Sequence, residues 1–201
     1  VLTNSKEHLV LVTEAGVVKS LKTEEGQKTQ NAKQVIKLKA GDRVVSAFCS
    51  PDKIDIGITA SDGQFLRMPV STVSIQGRGA TGIAGMKLKG GSVIVAAGAI
   101  LGDDFVTTVF SNQTAKVTPV AEFESRGRNG VGVRITKVSE DSKVTIAKIG
   151  PLTNLLAVMA TDEDSKKADP NPVQILIESS KRDLVGTMTE RQILALGTSR
   201  W

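Results

Sequence analysis

The chain has 201 residues, 26 Lys plus Arg against 21 Asp plus Glu, a net charge of +5 and a pI near 9.4, so it can bury a core and leans towards an anionic partner. Aromatic content of 3%, with one Trp and no Tyr, argues against the stacking platforms that hold single strands or RNA, while one Cys and one His exclude a disulfide framework, a multi-cysteine metal site and a His cluster. No apolar run approaches the roughly 18 residues of a membrane span, there is no signal peptide, and Val1 is not an initiator Met, so the expectation is a fragment of a larger cytoplasmic protein.

The first strand is predicted at Leu9-Val10-Leu11-Val12, followed by the polar turn Glu14-Ala15-Gly16. His8, beside Glu7, reads as a solvated strand-edge residue. A basic turn at Gln27 to Ala32, the run Lys37-Leu38-Lys39, the turn Gly41-Asp42 and the apolar run Val44 to Cys49 complete the first unit, with Cys49 expected as a buried, inert thiol. The plan then returns. Ile54 to Thr59, Ser61-Asp62-Gly63, Phe65 to Val70, Gly77 to Gly82, Gly85 to Lys89, Gly90-Gly91 and Val93 to Ala97 follow in the same order about fifty residues later. Phe105 to Phe110, Ser111-Asn112-Gln113, Lys116 to Val120, Gly127 to Gly132 and Glu140-Asp141 make a third copy. Leu155 to Ala160 and Asp162-Glu163-Asp164 begin a fourth, in which Pro172-Val173 stands for Pro69-Val70 and Arg182 and Gly186 keep the spacing of Arg78 and Gly82.

Short β-branched runs separated by turns every eight to twelve residues predict an all-β domain. Four strands per unit of about fifty residues is the pattern of a propeller blade, so one domain over 1–201 is expected, with repeats near 1–50, 51–100, 101–150 and 151–201. No helical stretch of length separates the strands, which excludes a parallel α/β fold.

Gly77-Arg78-Gly79-Ala80-Thr81-Gly82 matches G-x-G-x-x-G, and Asp103 and Asp104 lie downstream where a ribose contact would fall. That fingerprint requires a helix after the glycines. Gly85, Gly90 and Gly91 oppose one, each costing about 1 kcal/mol against Ala in a helix interior, and the segment after them reads as a strand. The glycines are better explained as a tight turn or bulge with positive φ between two strands, open to close approach by a partner. The repeat places a cation at one register of this turn: Lys28, Arg78, Arg128 and Arg182.

Phe65-Leu66-Arg67-Met68-Pro69-Val70 with Gln76 to Leu88 resembles a blade of the C-terminal domain of bacterial type IIA topoisomerase A subunits, those of DNA gyrase and topoisomerase IV. Lys116 to Val120 with Ser125 to Arg134 resembles the next blade. The resemblance covers essentially the whole chain and is strongest from Asp52 to Gly150. It implies a β-pinwheel, a propeller-like disc whose blades exchange strands, here with about four four-stranded blades where the family commonly has five or six. It implies a basic perimeter that binds and bends duplex DNA. The implied partners are the rest of the A subunit, then the ATPase B subunit, in an ATP-dependent bacterial isomerase that controls DNA supercoiling. It also implies a cytoplasmic, nucleoid-associated location. The gyrase box Q-R-R-G-G-K-G has no intact copy. Gln76 to Gly82 comes nearest but lacks the paired arginines and the lysine, which puts gyrase-type wrapping in doubt and favours a topoisomerase IV-like or divergent parent.

Cleavage in that family uses a tyrosine, and this chain has none, so by itself it is not expected to be an enzyme or to hold a cofactor or metal. The candidate DNA contacts are Lys28, Arg78, Arg128 and Arg182 at the turns, with Arg67, Lys87, Lys89, Lys116, Arg126 and Arg134 nearby. Charge is uneven: residues 1–50 hold eight basic and five acidic groups, and residues 151–201 six basic and seven acidic, so the first three repeats are expected to carry most of the contact. The alternative function is a propeller-like scaffold for protein partners with no role on DNA, and salt-sensitive duplex binding discriminates the two.

Overall fold

A computed structural model describes residues 7–23, 34–136, 142–153, 155–162 and 166–198. Fifteen strands are present among these residues: β1 (Glu7–Thr13), β2 (Val17–Lys22), β3 (Val44–Pro51), β4 (Asp55–Ala60), β5 (Gln64–Pro69), β6 (Ile83–Ala84), β7 (Ile94–Ala99), β8 (Phe105–Phe110), β9 (Thr114–Pro119), β10 (Val133–Arg134), β11 (Val144–Gly150), β12 (Leu155–Met159), β13 (Val173–Gln174), β14 (Thr187–Met188) and β15 (Ile193–Thr198). The two short 3₁₀ turns, Val70–Thr72 and Val120–Glu122, each follow a proline that ends a strand. The fold is all-β, as the sequence predicts.

The strands form four small antiparallel sheets, ordered β3-β1-β2-β6, β10-β5-β4-β7, β11-β8-β9-β14 and β13-β12-β15. Within each of the first three blades a hairpin is closed by a residue with positive φ: Gly16 (83°), Gly63 (78°) and Gln113 (63°). A strand from the same repeat pairs on one side of that hairpin. The strand on the other side comes from the following repeat: Val17 and Val18 of β2 face Ala84 and Ile83, Phe65 of β5 faces Val133, and Ala115 of β9 faces Thr187. This is the strand exchange of a β-pinwheel.

The strands that stay home, β3, β7, β11 and β15, pack one against the next from blade to blade. The Ala97 amide donates to Ser46 Oγ at 2.8 Å across one such seam, and the Val144 amide donates to the Ser61 carbonyl at 2.8 Å across another. These strands therefore line the middle, and β6, β10 and β14 lie on the perimeter. The core fills the seams. Val10, Val12, Val18, Ile56, Ile58, Leu66, Met68 and Met86 form one cluster, and Phe65, Val106, Phe123 and Ile135 another, with the Phe65 and Phe123 rings 4.7 Å apart. Each such side chain contributes about 1.5–3 kcal/mol when buried, so neighbouring blades stabilise one another.

Four expectations change. The strand expected over Gly85 to Lys89 is the two-residue β6 at Ile83–Ala84 instead, because Gly85 lies against Val18 and the chain leaves the sheet there, returning only as a bridge from Met86 to Gly130. In the fourth copy Ala157 pairs with Val173 as Thr107 pairs with Val117 and Gly57 with Arg67, so Val173 does not stand for Val70. Extra residues in the fourth hairpin, tied by the Asp169 amide to the Met159 carbonyl, shift the match. His8 lies in the central strand of its sheet rather than at an edge, with Nε2 2.8 Å from Asp52. Cys49, expected buried, is also only half-buried; it is free, and burial pushes its thiol up.

Of the glycines in the G-x-G-x-x-G stretch, only Gly82 needs positive φ (87°), and a Cβ there would lie 2.6 Å from Val17 Cγ1 and 2.8 Å from the Val18 carbonyl. Gly77 and Gly79 would meet nothing within 4 Å. Gly82→Ala is expected to lower stability by about 1–3 kcal/mol, and Gly77→Ala and Gly79→Ala to change it by less than about 0.5 kcal/mol. Urea unfolding midpoints check this; equal losses at all three positions would contradict it.

Candidate nucleic-acid interface

The exposed edge of a blade's second strand presents unpaired N–H and C=O groups that must be covered. The following repeat covers them twice. Ile75 pairs in parallel with Ser20, and the Gln76 amide donates to the Ser20 carbonyl at 2.8 Å. The chain then turns through Gly77 to Gly82 and returns antiparallel as β6. The same pattern joins Ser125 to Arg67, with the Arg126 amide on the Arg67 carbonyl at 2.8 Å, and Ser179 to Val117, with the Ser180 amide on the Val117 carbonyl at 2.9 Å. Arg78, Arg128 and Arg182 thus hold one position in three equivalent perimeter turns, an equivalence set by hydrogen bonds. Lys28, in the first copy's turn, lies outside the described residues, as does Trp201.

The second cation layer comes from the run before each closing strand. The Lys87 amide donates to the Gly130 carbonyl at 2.9 Å, which brings exposed Lys87 and Lys89 beside the Arg128 turn. The Lys37 amide makes the same bond to the Ala80 carbonyl at 3.1 Å, so exposed Lys37 and Lys39 flank the Arg78 turn. The fifty-residue period aligns Lys37-Leu38-Lys39 with Lys87-Leu88-Lys89, yet only the fold shows that both runs sit at a turn of the next repeat.

The remaining candidates divide. Arg126 and Arg128 are exposed, and Arg128 Nη1 donates to the Ala84 carbonyl at 3.4 Å. Arg134 and Arg182 share Asp183, at 2.8 and 2.7 Å, so an acid offsets the third turn's cations. Asp183 has φ of 67°, and Asn129 holds the same place in the preceding turn with φ of 63°. Arg67 is half-buried, paired with Asp55 at 2.7 Å and directed by Nη1 to the Phe123 carbonyl, so it clamps two blades together. Lys116 departs furthest from the exposed role expected of it. It is 1% exposed, and its ammonium donates to Ser180 Oγ and the Lys181 carbonyl, both at 2.8 Å. β9 points this side chain beneath the turn that carries Arg182.

Lys19 is the counterpart that sequence reasoning missed. It is fully buried in β2, and its three ammonium protons meet the carbonyls of Val35 (2.8 Å), Arg78 (2.8 Å) and Ala80 (2.9 Å). Burial pushes the pKa of both lysines down; for Lys116 the nearby Asp183 and Glu122 act against it. The signal was present, since Lys19 and Lys116 each stand three residues beyond the left-handed residue of their hairpin, Gly16 and Gln113.

Among the described residues no group of His, Cys, Asp and Glu could hold a metal, and no helix is long and apolar enough to cross a membrane. The G-x-G-x-x-G stretch runs into β6 and opens no helix. Fold and site together define a strand-exchanged β-propeller with cations on its exchanged turns. The chain belongs to the family of the DNA gyrase C-terminal domain, beta-propeller, which matches residues 7–51, 58–100 and 114–149. It is 31% identical over 135 residues to the DNA gyrase A subunit of Kosmotoga olearia, covering 65% of this chain and 16% of that protein. Among solved structures it is similar to the C-terminal domain of DNA topoisomerase IV (TM-score 0.83, 21% identity, 98% of this chain and 63% of that one). It is also similar to the DNA gyrase A C-terminal domain (TM-score 0.78, 22% identity, 95% and 63%).

Lys116→Met removes a buried ammonium and leaves half-buried Ser180 Oγ and the Lys181 carbonyl without this donor, and is expected to cost about 1–3 kcal/mol. Lys87→Met and Lys89→Met, on the surface, are expected to stay within about 0.5 kcal/mol. Thermal denaturation monitored by circular dichroism separates them, and a Lys116→Met variant as stable as the surface pair would refute the buried assignment.

Proposed function

We propose that this domain binds duplex DNA without sequence preference and bends it along its perimeter, as the accessory C-terminal domain of a type IIA topoisomerase A subunit. The observation that carries the reading is the recurrence of Arg78, Arg128 and Arg182 at one position of three hydrogen-bond-equivalent turns on the outer strands. The proposed protein partners are the remainder of the A subunit, which links the domain to the ATPase B subunit, in the bacterial cytoplasm at the nucleoid. In this reading the domain contributes DNA geometry to an ATP-dependent isomerase and no nucleophile of its own.

The mechanism is electrostatic. Lys and Arg that neutralise phosphates release condensed counterions, which gives affinity that falls steeply with salt and reads no bases. Bending 20–30 base pairs by 40–90° costs on the order of 1–6 kcal/mol, so contacts must recur along the arc. Turns spaced by one blade supply that recurrence. Exposed lysines add to two of the turns: Lys37 and Lys39 flank that of Arg78, and Lys87 and Lys89 that of Arg128.

The double variant Arg78→Glu/Arg128→Glu is expected to weaken binding of a random-sequence duplex at least tenfold at low salt. The slope of log affinity against log salt should fall by roughly 2, with the unfolding midpoint unchanged. Gel shift over a salt series checks it; unchanged affinity would remove the proposed surface, and no wild-type shift even at low salt would favour a protein scaffold. Asp183→Asn keeps a residue that tolerates positive φ and releases Arg134 and Arg182, so duplex affinity should rise a few-fold in the same assay. A fall in affinity would place that turn outside the DNA path.

A further inference from the structure

Two buried ammonium groups sit at the same register of alternate blades, on residues no more than 1% exposed. Each reaches out of its own sheet into the turn contributed by the next repeat. Lys19 draws in the carbonyl of Arg78 and, together with the Lys37 amide, that of Ala80, and Lys116 draws in the carbonyl of Lys181, one position earlier in its turn. In the blade between them the same register carries Leu66, and its Cδ1 would lie 3.5 Å from a Cβ on Gly130. The Arg128 turn is therefore seated on an apolar side chain.

The direction of a carbonyl fixes the direction of the next amide. In a planar trans peptide the C=O of one residue and the N–H of the following residue point opposite ways. With the Arg78 and Ala80 carbonyls turned inward onto Lys19, the Gly79 and Thr81 amides are turned outward, on the crest that carries Arg78. Gly79 adds no side chain there, and a Cβ at that position would meet nothing within 4 Å. Successive outward N–H groups in a turn form a concavity suited to an anion. At the third turn the inward Lys181 carbonyl turns the Arg182 amide outward in the same way.

We propose that the crest of the 77–82 turn is a phosphodiester subsite made by the Gly79 and Thr81 amides with the Arg78 guanidinium, and that Lys19 is its positioning residue. Lys116, at the same strand register, positions the turn of Arg182 through the carbonyl just before that arginine, while the Arg128 turn, over Leu66, is set without an ammonium. The inference rests on the perimeter-binding reading above and adds to it a named atomic site and a residue that no phosphate touches. A buried lysine that shapes the backbone acts through donors, so its loss should alter how one phosphate is gripped and leave the distant turns as they were.

The test uses Lys19→Leu, the residue that the second blade itself carries at this register, in the whole chain with a short random-sequence duplex as the probe. In the wild-type protein the Gly79 and Thr81 amide resonances should move on titration with duplex. In Lys19→Leu they should move far less, amide exchange over 77–82 should rise at least tenfold, duplex affinity should fall about fivefold, and the salt slope should drop by about 1. Lys116→Leu, which removes the same charge from another seam, should leave the Gly79 and Thr81 responses intact and change those of the Arg182 turn. Lys19→Leu combined with Arg78→Ala should bind no more weakly than the product of the two single losses, and should come close to Arg78→Ala alone. If wild-type protein binds duplex and the Gly79 and Thr81 amides stay still, or Lys19→Leu binds with unchanged slope, the subsite is overturned while perimeter binding stands. If wild-type protein binds no duplex, the functional reading fails first. If Lys19→Leu does not fold, Lys116→Leu answers at the Arg182 amide, and failure of both to fold would reduce the two lysines to seam stabilisers and end the proposal.

Discussion

Each blade's second strand has an outer edge that its own repeat does not cover. Left open, that edge would offer unpaired N–H and C=O groups to any passing strand. The next repeat closes it with one parallel bridge, one turn and a strand of two residues, as at Ile75 to Ala84 on β2. A two-residue strand has no stability of its own. It persists because Gly82 lets the backbone meet Val17 and Val18 closely and because Met86 continues into the buried cluster between blades. The exchange that completes the first three sheets also forces a turn to the perimeter of each. The place of the rim cations is thus a consequence of how the edges are closed.

That constraint puts the three described turns at equivalent places, while their backbones and character differ. Position 79 is Gly, while its equivalents Asn129 and Asp183 adopt positive φ, which their short polar side chains tolerate. The choice matters electrically, since Asp183 engages both Arg134 and Arg182 whereas Asn129 engages neither of its neighbours by charge. Beneath the turns, Lys19, Leu66 and Lys116 alternate between ionic and apolar seating. At the third turn Asp183 pairs with Arg134 and Arg182, and exposed lysines flank the other two, Lys37 and Lys39 at Arg78 and Lys87 and Lys89 at Arg128.

Much of this was legible in the residues. The fifty-residue period, the left-handed hairpin residues Gly16 and Gly63, and the common register of Arg78, Arg128 and Arg182 all translate directly into blades and turns. Strand exchange was implied only by family resemblance, because a period reports what repeats and not which copy pairs with which. The exposed cation set was partly misread for the same reason. Lys116 and Arg67 look like surface charge in a strand, and only the seam shows that one is buried against Ser180 and the other clamps Asp55 and Phe123. The shift at Val173 arose where a longer hairpin broke the period, and His8 was misplaced because strand order within a sheet is invisible to local pattern.

The central claim, that exchanged turns align cations along one perimeter and hold a curved duplex, is tested most directly by topology. Relaxed circular DNA is incubated with the domain, treated with a type I topoisomerase, and deproteinised. A linking-number shift that grows with protein and is abolished by Arg78→Glu/Arg128→Glu is the expected result. An unchanged distribution of topoisomers at protein concentrations that saturate the duplex would contradict it.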